Sequence, residues 1–171
     1  MAATRGRSER ALAELGRLHA EVDARASQLA ALHGARLQCR RGCSACCVDG
    51  ITVFAIEAER IRAQHAELLA RGAPHSSGAC AFLDAEGACR VYADRPYVCR
   101  TQGLPLRWLD EERAAELRDI CPLNEAGEPL ESLPASACWT LGETEARLAE
   151  LQREFGAEGE RVALRALFAS D

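Results

Sequence analysis

Lysine is missing from this chain of 171 residues, so all 21 of its basic residues are arginine. That absence excludes Schiff-base and lysine-nucleophile chemistry. Together with abundant Ala and Gly, it points to a GC-rich, bacterial genome. Long apolar runs are missing too, and no stretch approaches the roughly 20 residues that span a bilayer. The opening M-A-A-T-R-G-R-S-E-R lacks the apolar core of a signal peptide. The expectation is a cytoplasmic protein with no membrane partner. Net positive charge is also absent: a formal charge of -5 and a pI near 5.5 argue against a nucleic-acid surface. No internal repeat and no low-complexity tail appears.

What is present suits one soluble globular domain over 1–171, with 48% hydrophobic and 27% charged residues. Leu12, Leu15, Leu18, Val22, Leu29 and Leu32 recur at helical spacing, so an amphipathic helix is expected over 8–37, within an N-terminal part of 1–38. Its stripe either packs on the domain or pairs with a protein partner or a second copy. A short extended segment is expected around Val48, Ile51 and Val53. A helix over about 55–71, closed by Gly72, follows it. The run C-A-F-L-D-A-E-G-A-C-R-V-Y reads as a β-hairpin bringing Cys80 and Cys89 together. In A-D-R-P-Y-V-C-R, Asp94 is a candidate N-cap, and Pro96 opens a short helix that carries Cys99. Further helices are expected over 110–120, about 140–155 and 158–169, the last two in the C-terminal part, 122–171. The fold class expected is mostly α with a small β-hairpin, an irregular, metal-organised, cysteine-rich centre (39–121) being flanked by amphipathic helices.

Nine cysteines carry the chemistry, and C-R-R-G-C-S-A-C-C, Cys39 to Cys47, holds four of them. A reducing cytosol disfavours structural disulfides, and an odd count cannot pair fully. Cys39-x3-Cys43-x2-Cys46 matches the spacing of radical S-adenosylmethionine enzymes, but those set it after the first strand of a large barrel. Cys43-Ser-Ala-Cys46 matches a redox C-x-x-C, but the strand such enzymes place before it is missing. Metal ligation would supply the stability that these short, loop-rich segments lack, and all-sulfur ligation suits zinc and iron–sulfur clusters alike. Arg40, Arg90 and Arg100 each follow a cysteine directly, with Arg41 and Arg95 nearby, where guanidinium groups offset thiolate charge. His33 or His75 could complete a site. His19 and His65 lie on expected helices, and Cys138, beside Trp139, reads as a small buried apolar residue.

The order C-x-F-L-D…G-x-C-x-V-Y-x-x-R-P-x-x-C-R resembles the YkgJ-like CxxCxxCC cysteine-cluster family over about 39–121. Its members are described as zinc- or iron-chelating domains and are also grouped as Fe–S-cluster proteins. One departure is the three-residue gap between Cys39 and Cys43. The resemblance marks Cys39, Cys43, Cys46, Cys47, Cys80, Cys89 and Cys99 as metal ligands, with Cys121 as an eighth. It implies zinc or iron as cofactor, an Fe–S cluster included, and gives Arg95 and Pro96 the turn that presents Cys99, with Tyr92 packed behind. Part of the flagellin lysine methylases is also similar, but no glycine-rich cofactor loop accompanies it here. Three functions stay open: a metal-binding module, an Fe–S-dependent redox or group-transfer enzyme, and a metal carrier. The carboxylates near the cysteines, Asp84, Glu86 and Asp94, are explained by turn formation. Adjacent side chains diverge in helix and strand, so Cys46 and Cys47 are not expected to share a centre. The expected site is composite, with ligands from both the 39–47 run and the 80–99 segment.

Overall fold

The computed structural model describes residues 2–168, with side chains described from residue 6 onward. Helix α1 (Ala2–Leu32) is followed by strand β1 (Thr52–Phe54), which runs directly into α2 (Ala55–Gln64) and then α3 (Ala66–Arg71). Ala11, Leu15, Leu18, Val22 and Leu29 fall on one face of α1 and are almost completely buried. They pack against Ile56 of α2 and against Leu148 and Leu151 of α5 (Glu143–Phe155), with Tyr97 and Trp139 in the same cluster. Arg147 on α5 reaches Glu21 on α1 at 2.7 Å and tethers the two helices outside that core. Most of the α1 stripe is therefore spent at home, whereas Leu32 at its end is exposed.

The expected class is corrected by the strands. The chain is about 47% helical and 12% strand, and two small sheets make it mixed rather than mostly α. Residues 110–120, expected as a helix, belong to a hairpin: β2 (Leu106–Asp110) pairs antiparallel with β3 (Ala115–Asp119), and Leu106 also faces Trp139 of the parallel β4 (Trp139–Thr140). Tertiary pairing overrides the helical propensity of D-E-E-R-A-A-E. Asp110 accepts the amide of Arg113 inside the turn, and Ala114 takes a left-handed φ of 47°. Glu116 pairs across the strands with Arg107 and along its own strand with Arg118.

The last expected helix is likewise replaced. Gly156 ends α5 in a left-handed conformation, then β5 (Arg161–Ala163) pairs antiparallel with β1, and a 3-10 turn covers Leu164–Phe168. Ala169, the final residue of that expectation, lies outside the described residues. The 55–71 helix is broken at His65, whose ring is drawn to Asp94. The 80–92 hairpin reduces to an isolated bridge, Leu83 to Cys89, around a turn in which Asp84 accepts the amides of Glu86 and Ala88. No helix among the described residues is long and apolar enough to cross a membrane.

Apolar packing organises the cysteine-rich centre, which corrects the expectation of a metal-organised one. Val53, Ala58, Ile61, Phe82, Leu83, Val91, Leu164 and Leu167 form a buried cluster that includes Cys80. The cause is the C-terminal segment. Its strand and 3-10 turn return to cover Phe82, supplying burial that the cysteine segments lack on their own. Phe82→Ala should therefore cost about 3–5 kcal/mol in urea unfolding of chelator-treated protein. A cost near zero would mean that this cluster does not hold the centre.

Candidate metal centre

Two tight turns shape the first cysteine run. Cys43 N donates to Arg40 O and Cys47 N to Ser44 O, both at 2.9 Å, and Gly42 within the first turn sits at φ 83°. The second cysteine segment joins directly, because Cys80 N donates to Cys47 O at 2.9 Å. The turn after Asp84 closes against the first run, where a Cβ on Gly87 would stand 3.3 Å from Gly42 O. Arg165, from the C-terminal turn, fastens both segments: its Nε meets the Asp49 carboxylate at 2.9 and 3.1 Å, and its other nitrogens reach the carbonyls of His75 and Ala79. That guanidinium, with the amide of Gly78, holds the Asp49 carboxyl below its usual range.

The third segment is presented by α4 (Tyr97–Arg100), a single helical turn started by Pro96. Its first amide, Tyr97 N, donates to Glu57 Oε1 at 2.6 Å, and the His19 ring reaches the same oxygen at 3.1 Å. Glu57 is buried, so two buried donors depend on one carboxylate. At the other end Arg100 meets Asp23 at 2.5 Å and donates to Ala93 O. Trp139 Nε1 donates to the Tyr97 hydroxyl at 2.8 Å, and burial pushes the Tyr97 pKa up. Cys99 therefore sits on a turn fixed at both ends. Asp94 accepts from Arg60 and His65, a tertiary role in place of the expected N-cap.

Cys39, Cys43, Cys46, Cys47, Cys80, Cys89 and Cys99 line one cavity of about 590 Å³. Cys121 is not on its wall; it opens the 3-10 turn Pro122–Asn124. Asn124, fully buried, donates to Gly103 O at 2.8 Å and to Cys39 Sγ at 3.4 Å. Gly103, at φ 90°, leaves the space that Cys39 fills, since a Cβ there would stand 2.5 Å from its sulfur. His33 is spent on Ala137 O at 2.7 Å, and His75 does not line the cavity. Cys138 lies apart, buried with Leu133 and Ala137.

Cys46 and Cys47 lie side by side in a turn rather than in a helix or strand. The neighbouring Cys47 thiol lowers the Cys46 pKa to about 6 against the opposing effect of burial, with Arg95 adding to the lowering. The Cys46 thiol, burial and the Cys46 charge push Cys47 up. Burial, then the Cys80 and Cys89 charges, push Cys99 up to about 12; burial also raises Cys89. These mutual influences place Cys46, Cys47, Cys80, Cys89 and Cys99 within electrostatic reach of one another.

Among the described residues no group of three or more His, Cys, Asp or Glu side chains already stands in metal-holding geometry. The donor set nevertheless fits a thiophilic metal. Thiols that resist ionisation because they are buried, and because other thiols surround them, gain most from a cation among them. The buried Nε atoms of Arg95 and Arg100, both on the cavity-lining residues, have no partner and remain as unspent donors. Sequence reading missed Glu57, Asn124 and the Asp49–Arg165 clamp. Only Asn124 left a trace, as a turn-forming residue just after Cys121-Pro122.

A family model named CxxCxxCC and described as "Putative zinc- or iron-chelating domain" matches residues 38–122. No curated protein and no solved structure matches the chain. The thiol geometry can be checked directly. In reduced, metal-free protein, alkylation of Cys46 from about pH 4 to about pH 9 should rise as the thiolate appears, with a midpoint near about 6. Cys47→Ala should return that midpoint to the ordinary thiol value of about 8.5. A midpoint unchanged by Cys47→Ala would show that the pair does not interact.

Proposed function

We propose that the thiol-lined cavity, whose cysteines lie within the residues 38–122 matched by the CxxCxxCC family model, holds zinc or an iron centre through thiolates from both cysteine segments. The observation that supports this most is the convergence of seven cysteines, from 39–47 and from 80–99, on one cavity. Cys46, Cys47, Cys80, Cys89 and Cys99 form the inner ligand pool, with Cys39 and Cys43 on the wall beside them. Cys121 acts through the turn that carries Asn124. Bound there, zinc would supply a closed structural centre, and an iron–sulfur cluster would supply electron transfer. Reduced thiols in this number suit a reducing compartment, and we read the protein as cytoplasmic on that ground.

Protonation gives the reading a sign. Cys47, Cys89 and Cys99, pushed up, keep their protons at neutral pH, and a metal must displace them. Affinity should therefore rise with pH, and loading near pH 7 should release about two or more protons per metal.

Elemental analysis and an absorption spectrum of the anaerobically purified chain test the proposal; zinc or iron at one or two sites per chain is expected. Cys89→Ser and Cys43→Ser should lower the metal content while Cys138→Ser keeps it. Equal loss from all three, or a chain purified free of metal, would remove the proposal. A peptide covering 36–50 should bind on the order of 100-fold more weakly than the whole chain, since it carries the ligands of one segment only. Equal affinity would reject the composite site.

A further inference from the structure

The cavity is larger than a metal and its thiolates require. At about 590 Å³ it falls in the size class of small-molecule pockets. Its wall is also unlike the rest of the protein. The whole chain has a formal charge of -5, yet Arg40, Arg41, Arg95 and Arg100 line this space and Asp84 is the carboxylate among them. Asp84 is already engaged by the amides of Glu86 and Ala88.

These arginines differ in how far they are committed. Arg100 is buried and paired with Asp23. The Arg95 guanidinium lies over the exposed Tyr92 ring, with its Cζ 4.0 Å from the ring centroid, and one of its nitrogens is 3.9 Å from an Asp23 carboxylate oxygen. Its buried Nε has no partner among the described residues. Arg40 and Arg41 are exposed on the two-turn run that carries the cysteines, and have no ion-pair partner among the described residues. Arg40 and Arg41, unpaired, and Arg95, held by Asp23 only at 3.9 Å, put three guanidinium groups around one cavity, a seat for an oxyanion, which arginine grips in bidentate fashion.

We propose that the cavity beside the thiols binds a small molecule carrying a carboxylate or phosphate group, seated on Arg40, Arg41 and Arg95. The inference shares its cavity with the proposed metal centre but needs no metal, because the arginines and the volume belong to the protein itself. Tyr92 and Val98, both exposed on the cavity wall, give the apolar remainder of such a molecule a surface.

The test is titration calorimetry of the anaerobically purified full chain with phenyl phosphate and, separately, with phenylacetate, with metal content measured on the same samples. One molecule per chain is expected to bind, and the tighter of the two names the oxyanion. Arg40→Gln and Arg41→Gln should each weaken binding, and the double variant about tenfold, while the metal content stays unchanged. No binding of either probe, or binding that the variants leave unchanged, overturns the proposal. Variants that lose metal in step with the probe also overturn it, since the arginines would then serve the thiolate charge. Loss of metal in the cysteine variants bears on the metal centre alone, so the two readings fail separately.

Discussion

The hydrogen bond from Cys80 N to Cys47 O is the contact on which the site depends, because it joins two cysteine segments that are remote in sequence. Neither segment has regular structure of its own to hold it in place. The first is a pair of turns, and the second a turn with an isolated bridge. A single backbone hydrogen bond contributes only about 1 kcal/mol net, so it needs reinforcement. Arg165 supplies this from the far end of the chain, binding Asp49 on one segment and the carbonyls of His75 and Ala79 on the other. Phe82 and its apolar neighbours fill the space behind.

A second junction fixes the third segment. Glu57 is buried at the contact of α1, α2 and α4, and each of its partners would be left a buried orphan without it. This ties the helical core, where Leu15 and Leu148 are fully buried, to the turn that carries Cys99. Two apolar clusters and two polar junctions thus set the sulfurs around one cavity. The metal reading builds on an arrangement that the chain itself provides.

Much of this was legible in the sequence, though unevenly. Helix α1 announced itself through Leu15, Leu18, Val22 and Leu29 at helical spacing. The approach of Cys80 and Cys89 to each other followed from a turn at Asp84, and the presentation of Cys99 from another at Pro96. The β2–β3 hairpin was hidden because D-E-E-R-A-A-E has the composition of an exposed helix, and only pairing with β4 and the charges on Glu116 decide otherwise. The C-terminal strand was hidden for a related reason: Val162, Leu164, Leu167 and Phe168 suit either period over so short a stretch. Contacts such as Arg165 to Asp49 leave no local signal, since each residue alone looks like a surface charge.

X-ray absorption at the zinc and iron edges, on anaerobically purified full-length protein, tests the central claim most directly. The account predicts a metal whose nearest neighbours are sulfur, at about 2.3 Å. Nearest neighbours made up only of nitrogen and oxygen, at about 2.0–2.2 Å, would contradict it, as would a protein that carries neither metal.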